Sequence, residues 1–273
     1  MRTTAEKSEA FRALHARPGA FVIPNPWDLG SARLLARLGF EALATTSAGA
    51  AFAAGERDNC VGRERMLAHV AAIVGATDLP VSADLENGFG DDPETVAETI
   101  RLAAATGLAG GSIEDATPRA DQPIYPFELA VERVRAAAAV AHAQPHPFLL
   151  TARAENFLVG RRDLAETIRR LQAYQEAGAD VLYAPGLTSR DDIAAVVAAV
   201  DRPLNVLAGL PGLGLDVAAL SRLGVKRVSV GSALARAAYG ALLRAAEEMR
   251  THGSFGFAAE AVSYRDLSRM FEP

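Results

Sequence analysis

Eight short apolar runs recur along the whole chain, and longer amphipathic stretches separate them. The runs are mostly apolar on both faces, which is typical of strands in a parallel sheet covered by helices. They lie at residues 20–24, 42–46, 80–84, 110–114, 148–153, 180–184, 203–207 and 227–231. Helical patterns lie between them, for example at residues 31–38, 63–75, 93–106, 128–141 and 163–177. This alternation predicts parallel strands joined by crossover helices.

The number of strand–helix units favours one α/β architecture over another. Eight units within 273 residues indicate a single-domain (β/α)8 barrel of the TIM type, because such barrels run to roughly 250 residues. An open, doubly wound sheet is the alternative. We expect the catalytic barrel to occupy residues 1–250. The apolar, partly helical segment 251–273 would then pack on its own barrel or, as we favour, on a neighbouring subunit.

Composition excludes several classes of function. The formal net charge is −5, which gives no electrostatic reason to bind nucleic acid or an anionic membrane surface. The only cysteine, Cys60, excludes an internal disulfide framework and a multi-cysteine metal site, and we expect it to be buried. The first 20 residues mix charges and lack a continuous apolar run, so no secretory signal is expected. We predict a cytoplasmic protein that neither enters a membrane nor binds nucleic acid.

Acidic residues follow the predicted strands. Asp84 and Glu86 come at the end of the third strand, Glu114 ends the fourth, and Asp58 lies in the loop after the second. The carboxyl ends of barrel strands share one rim, so these acids should meet there. Crowded carboxylates require either bound protons or a cation, and an all-oxygen set favours Mg²⁺ or Mn²⁺. The alternative is that each acid caps a helix or pairs with an arginine.

Two further features suit a carboxylate ligand. Arg153 ends an apolar strand, and its planar guanidinium matches a substrate carboxylate, although an ion pair with Glu155 or Glu114 is the alternative. Residues 46–49, Thr-Ser-Ala-Gly, would supply hydroxyl and backbone N–H donors, unless they form an ordinary turn of small residues.

Motifs spread over most of the chain carry a family resemblance. They are NPWDLGSAR at 25–33, TTSAG at 45–49, GERD at 55–58, VSADLENGFG at 81–90, GLAGGSIED at 107–115, TARAEN at 151–156, AGAD at 177–180 and PLNV at 203–206. At these residues the chain resembles the isocitrate lyase/phosphoenolpyruvate mutase superfamily. The resemblance implies a Mg²⁺-dependent barrel, commonly tetrameric, whose last helix is often exchanged between neighbouring subunits.

The resemblance also implies roles for individual residues. Asp84 takes the place of the direct metal ligand. Three more acids match those that hold the metal's water molecules: Asp58, Glu86 and Glu114. The set that binds an α-oxo carboxylate corresponds to Thr46, Ser47, Ala48 and Arg153, with Asn205 at a substrate-binding position of some lyases.

Three departures from the family pattern restrict the chemistry. Lyases acting on isocitrate or 2-methylisocitrate carry a Lys-(Lys/Arg)-Cys-Gly-His motif after the fourth strand, whereas residues 115–125 contain no Cys, His or Lys. Glu86 replaces a more usual Asp. Tyr183-Ala184-Pro185 stands where lyases have a Glu and phosphonate mutases a His. These departures argue against efficient isocitrate-type cleavage and against mutase chemistry.

The remaining groups suit a lyase that works through an enolate. We predict C–C cleavage or decarboxylation of a small α-oxo or 2-hydroxy di- or tricarboxylate resembling oxaloacetate or methylisocitrate, with Arg153, Glu114 and Glu155 as catalytic residues. Decarboxylation needs no general base, whereas retro-aldol cleavage needs one, for which Glu155, a metal-bound water or Tyr125 is available. A phosphonopyruvate-type mutase or hydrolase and a non-catalytic α-oxo-acid binder are the alternatives. A homo-oligomer, tetramer or dimer, is expected.

Overall fold

The computed structural model describes residues 2–272, which alternate between strands and helices as the sequence predicts. The strands are β1 (Phe21–Ile23), β2 (Leu43–Ala44), β3 (Val81–Asp84), β4 (Gly110–Glu114), β5 (Leu149–Arg153), β6 (Val181–Tyr183), β7 (Leu204–Leu207) and β8 (Arg227–Ser229). The α-helices are α1 (Thr4–Ala16), α2 (Leu29–Arg37), α3 (Ser47–Ala53), α4 (Arg63–Gly75), α5 (Pro93–Ala104), α6 (Phe127–His142), α7 (Leu164–Glu176), α8 (Arg190–Ala199), α9 (Val217–Arg222), α10 (Ala233–His252) and α11 (Tyr264–Arg269). A 3₁₀ turn covers Gly256–Glu260.

The strands form one parallel sheet in the order β1-β8-β7-β6-β5-β4-β3-β2. The Ala44 N–H donates to the Pro24 carbonyl over 3.0 Å, which joins the two ends of the sheet. This nearly closed ring of eight strands confirms the (β/α)8 barrel and excludes the open sheet. All eight predicted strand positions are confirmed, with ends shifted by at most two residues.

Short-range signals explain where the helices begin and end. The Asp92 carboxylate caps α5 by accepting from the Thr95 N–H over 2.7 Å, and Pro93 follows it at the first helical position. α2 begins two residues earlier than the apolar pattern predicts, because Asp28 and Ser31 form a reciprocal capping box. After α7, Gly178 adopts φ 110°, a left-handed conformation that favours glycine.

Two apolar clusters hold the barrel together. The larger lies between the sheet and the surrounding helices, and it includes Leu43, Ile100 and Leu150. The smaller closes the amino-terminal end of the barrel, where Phe11 of α1 packs with Phe21 and Ile23. Helix α1 lies outside the predicted strand–helix units. It covers the end of the barrel opposite the carboxyl ends of the strands. A ligand can therefore enter only at the end where the strand carboxyl ends lie.

Three surface features complete the description. In residues 251–272 every residue but one is exposed, and Phe255 and Tyr264 are 67% and 90% exposed. The carbonyl of Glu272 accepts from Arg37 on α2 over 3.2 Å. Cys60 is exposed, so its predicted burial was wrong: it lies in the loop after α3 rather than against the core. Within residues 2–272, none of the helices has the length and apolar character needed to cross a membrane.

The close packing of β4 against β5 gives a stability prediction. A Cβ on Gly110 would lie 2.6 Å from the Leu149 carbonyl oxygen, so Gly110→Ala forces the two strands apart. We expect a loss of about 2 kcal/mol and a fall in Tm of roughly 4 °C or more. Thermal unfolding followed by calorimetry measures this change.

Gly75, the last residue of α4, is the matched control, because a Cβ there meets nothing within 4 Å. Gly75→Ala should leave the Tm unchanged or raise it slightly, since alanine favours the helix. Equal effects of the two substitutions would contradict the packing argument.

Candidate active site

A cavity of about 300 Å³ opens at the carboxyl ends of the strands. It brings together predicted site residues that the sequence places up to 159 positions apart, from Thr46 to Asn205. The predicted residues that line it are Thr46, Ser47, Ala48, Asp58, Asp84, Glu114, Arg153, Glu155 and Asn205. Glu86 lines an adjoining cavity of about 730 Å³, which shares Glu114 and Asn59 with the first. All the predicted site residues therefore lie at one end of the barrel.

Arg153 is the centre of the ionic contacts in this cavity. Its Nη1 lies 2.9 Å from Asp84 Oδ1, its Nη2 lies 2.8 Å from Glu114 Oε2, and its Nε lies 2.8 Å from Glu155 Oε1. Burial opposes the charge, but Glu114, Glu155 and Asp84 raise the pKa of Arg153 well above its usual value. The ion pairs that the sequence left as an alternative are thus present.

Several carboxyl groups of the cavity share one cation, the guanidinium of Arg153. Burial raises the pKa of Glu114 well above its usual value despite the opposing charge of Arg153, and burial also raises that of Glu155. Desolvation, and then the charge of Asp84, raises the pKa of Asp58, which lies in an exposed loop at the cavity wall. One guanidinium therefore cannot neutralise the acids gathered here, and they must bind protons or a further cation.

Glu86 is the least satisfied of these acids. It is 6% exposed, adopts φ 51°, and its Oε1 has no hydrogen-bond partner among the described residues. Burial, followed by Asp84 and Asp58, raises the pKa of Glu86 to about 7. A positive φ and an unpartnered buried oxygen each cost free energy, and such costs are concentrated where a ligand offsets them.

Asp84 is held by the turn that follows β2. Its Oδ2 accepts from both the N–H and the hydroxyl of Ser47, over 3.0 and 2.8 Å. Thr46 caps α3 through the Gly49 N–H, and a Cβ on Gly49 would lie 2.6 Å from Thr46 Cγ2. The small residues therefore allow the turn to approach Asp84 closely, and in this structure Ser47 bonds to an acid of the site.

The oxygen atoms gathered in the cavity are the type of ligand that a hard cation binds. Each carboxylate oxygen has two lone pairs, so Asp84 Oδ1, which accepts from Arg153, keeps one lone pair, whereas Ser47 engages both lone pairs of Oδ2. Oxygen-only donors suit Mg²⁺ or Mn²⁺. Within residues 2–272, however, no three His, Cys, Asp or Glu side chains already stand in an arrangement that would hold a metal ion. Binding would require the acids to reorient from Arg153 and Ser47.

The segment after β4 forms a folded hairpin over the second cavity. Ala116 and Ile124 make an antiparallel bridge, and the Tyr125 hydroxyl donates to Asp91 over 2.6 Å. Burial and the hydrogen bond to Asp91 raise the pKa of Tyr125 to about 12. Tyr125 is therefore a neutral hydrogen-bond donor that anchors the hairpin, which argues against a role as general base.

The sequence analysis missed two groups inside the barrel. Arg227 on β8 donates through Nε to Asn205 Oδ1 over 2.9 Å, and Asn205 Nδ2 donates to Ser229 over 2.9 Å. Tyr183 lies beneath Arg153, whose guanidinium is 5.2 Å from the ring centroid. Arg227 begins β8 and directly follows Lys226, so the pattern that identified Arg153, an arginine at the end of an apolar strand, does not identify it.

The comparison with protein families agrees with this geometry. The model for phosphoenolpyruvate phosphomutase matches residues 11–250. The chain belongs to this family. The resemblance to the isocitrate lyase/phosphoenolpyruvate mutase superfamily is thereby confirmed, and with it membership of a superfamily of enzymes.

Three similar proteins illustrate the range of this superfamily. A solved structure described only as a lyase/mutase of Burkholderia cenocepacia J2315 is 64% identical, with a TM-score of 0.96 and coverage of 99% of this chain and 97% of that one. Oxaloacetate decarboxylase of Chromohalobacter salexigens is 30% identical over 86% of this chain and 81% of its own. Phosphonopyruvate hydrolase, solved with oxalate and Mg²⁺, is 25% identical, with a TM-score of 0.85 and coverage of 98% and 95%.

The contacts of Arg153 predict a pH-dependent loss of stability. Arg153→Met leaves buried carboxyl groups without their cation, so we expect a loss of about 3 kcal/mol or more near pH 8. Carboxyl groups whose pKa is raised in the folded state stabilise it at low pH and lose that contribution as pH rises through the raised pKa. The loss should therefore be smaller near pH 5.5, about one pH unit above the ordinary value of glutamate.

Thermal unfolding of wild type and variant across this pH range measures the effect. Arg153→Lys, which keeps the charge but not the planar fork, is the control and should be destabilised less at each pH. A difference in Tm that stays constant with pH would contradict the assignment of Arg153 as the neutralising cation.

Proposed function

We propose that the protein is a Mg²⁺-dependent lyase that breaks a C–C bond of a small α-oxo or 2-hydroxy dicarboxylate, by cleavage or decarboxylation through an enolate. The excess of buried carboxyl groups around the Arg153 guanidinium, beside Glu86, whose Oε1 has no partner within residues 2–272, carries the proposal. A divalent cation would neutralise part of the excess negative charge, and the carboxylate of a ligand would contact Arg153. The cavity is therefore electrostatically suited to bind a cation and a carboxylate together.

The acids of the cavity rim would hold the cation, Mg²⁺ or Mn²⁺. Asp84 would be the direct ligand, and three more acids would act through water: Asp58, Glu86 and Glu114. When bound, the cation supplies Lewis-acid stabilisation of the negative charge that develops on an α-oxo substrate as its β-bond breaks. The longer side chain of Glu86, compared with aspartate, extends the reach of its carboxylate toward a water molecule.

The other residues would position the substrate. Arg153 has five N–H groups, of which its three ion pairs engage three, so two remain for a substrate carboxylate. Thr46, Ser47 and Ala48 lie on the cavity wall, where hydroxyl and backbone N–H donors would orient the same carboxylate. Asn205 lies deeper on β7 and would contact the far end of the substrate.

Proton transfer is the step that distinguishes the two lyase reactions. In retro-aldol cleavage Glu155 would accept the hydroxyl proton, because it lies beside Arg153 and burial raises its pKa above the usual value of glutamate. Glu114, buried with a raised pKa, would be the group that protonates the enolate. Decarboxylation requires only protonation of the enolate. It therefore suits a site whose 115–125 hairpin lacks the cysteine of the lyases that act on isocitrate or 2-methylisocitrate.

Phosphonopyruvate-type chemistry, either mutase or hydrolase, is the second candidate, since the family model and a solved relative carry those names. It requires cations that contact a phosphonate. Arg119 is the only cation of the 115–125 hairpin, and it is engaged at 2.6 Å by Asp91. This ion pair favours the lyase. A binder of α-oxo acids without turnover is the remaining alternative.

Asp84→Ala tests the metal site. We expect the wild-type protein with Mg²⁺ to release pyruvate from oxaloacetate or a substituted malate, and the variant to lose at least about 10³-fold in kcat/KM. The variant should keep its Tm within a few degrees, because Asp84 is partly exposed at the cavity. A coupled pyruvate assay and calorimetry measure the two quantities.

Asp92→Ala is the matched control, since it removes an acid that caps α5 on the surface. It should lower stability by about 1 kcal/mol and leave turnover unchanged. Full activity of Asp84→Ala would refute the metal site. Phosphonopyruvate turnover in place of pyruvate release would favour the second candidate, and tight binding without any turnover would favour the binder.

We also propose that the protein is a cytoplasmic homo-oligomer, a tetramer or dimer, in which residues 251–273 pack on a neighbouring copy. The exposed Phe255 and Tyr264, and Leu243 on α10, support this proposal, because apolar side chains of this size are usually covered. Light scattering should show an oligomer for the wild type and a smaller species for Phe255→Asp with Tyr264→Asp. An unchanged mass for the double variant would contradict it.

A further inference from the structure

A second arginine lies inside the barrel, below Arg153. Arg227 is the first residue of β8 and Ser229, at the rim, is the last, so Arg227 lies about 6.6 Å deeper along the strand. It is 5% exposed. Its Nη2 donates to Thr151 on β5 over 3.0 Å, so the side chain crosses the barrel interior beneath β6 and β7. Thr151 in turn lies two residues below Arg153 on the same strand.

The charge of Arg227 has no counterion. Arg153 contacts three carboxylates, but no acidic side chain of the described chain forms an ion pair with Arg227. Its Nη1 has no hydrogen-bond partner among the described residues. Burial lowers the pKa of Arg227 to about 10, which still leaves it protonated at neutral pH. A buried, unpaired cation is costly, and an anion that binds beside it recovers part of that cost.

The cavity at the barrel mouth extends down to this charge. Arg227, Asn205, Ser229, Ser112 and Ser82 line the same 300 Å³ space as Asp84 and Arg153. Its lower wall is therefore formed by a guanidinium, an amide and hydroxyl groups, which donate hydrogen bonds to an anion. A volume of this size lies at the small end of ligand pockets, which matches a compact ligand.

We propose that Arg227, with Asn205 and Ser229, forms a deep subsite for the second carboxylate of a short-chain dicarboxylate, whose α-oxo carboxylate is held at the mouth by Arg153. The inference rests on the proposed function and narrows its substrate class. A monocarboxylate such as pyruvate would leave Arg227 unpaired. The same cavity would therefore favour four-carbon diacids as substrates and release pyruvate readily as a product.

The unpartnered Nη1 is itself shielded from solvent, so a water molecule enclosed beside it, rather than a ligand in the cavity, would satisfy that atom. His15 on α1 also has a buried, unpartnered atom, Nε2, and its Nδ1 contacts the Phe11 carbonyl over 2.9 Å. The pKa of His15 is lowered to about 3 by burial and then by Arg227, so its ring is neutral. A water molecule between His15 and Arg227 would then satisfy both groups without any role in substrate binding. The test distinguishes this water from the carboxylate.

The experiment compares a two-carbon and a four-carbon ligand by titration calorimetry. Oxalate spans only the mouth, and 3,3-difluorooxaloacetate carries a second carboxylate that reaches deeper. With Mg²⁺ present, Arg227→Met should weaken the four-carbon ligand by at least about tenfold and change oxalate by less than about twofold. Arg227→Lys, which keeps the charge, should recover part of the affinity. Unfolding temperatures establish that each variant is folded.

Each possible result either supports or overturns the subsite. If Arg227→Met weakens the binding of both ligands equally, or of neither, the subsite is overturned and the enclosed water molecule is favoured. If Arg227→Met does not fold, Arg227→Gln, which removes the charge but keeps a hydrogen-bond donor, takes its place, and unchanged selectivity in that variant overturns the subsite. Wild-type protein that binds the four-carbon ligand through Arg227 without Mg²⁺ supports the subsite and contradicts the proposed metal dependence. Protein that binds only oxalate overturns the subsite alone, and protein that binds neither overturns both.

Discussion

The contacts of Arg153 with three carboxylates are the interaction on which the rest of the site depends. Asp84 ends β3, Glu114 ends β4, and Glu155 follows β5, so one guanidinium joins the ends of three strands. Without this cation, acids so close together could not remain ionised inside a barrel. The same contact leaves a net excess of carboxyl groups. This excess must be offset by bound protons or by a further cation.

Burial inside the barrel strengthens the interactions between the charged groups of the site. The hydrogen bond from Ala44 to Pro24 closes the barrel, and α1 covers its amino-terminal end, so water and ligands reach the polar interior from the opposite mouth. Charges in such a space interact more strongly than on the surface. Arg153 at the mouth and Arg227 below it therefore form two centres of positive charge along one axis. Only the upper one has carboxylate partners within the described chain.

Most of the fold, and the location of the candidate site residues at one end of the barrel, could be predicted from the sequence. Both depend on local patterns: apolar runs of strand length, caps such as Asp92, and polar residues directly after each strand. The capping box of Asp28 lengthened α2 beyond its apolar pattern, and the exposed Cys60 contradicted a prediction based on residue type alone. The first error came from a capping signal beyond the apolar pattern, and the second from the position of Cys60 in an exposed loop.

The alternation of eight strands with helices, and the position of the acids and Arg153 at the strand ends, follow from the sequence, because strand period and position after a strand are local properties. Which of these groups contact each other depends on how the strands are brought together in space. The tertiary structure paired Arg153 with three acids, left Glu86 Oε1 unpartnered, and directed Arg227 across the barrel to Thr151. These contacts join strands far apart in the chain, and their distances depend on the closure and twist of the barrel, which no single segment encodes.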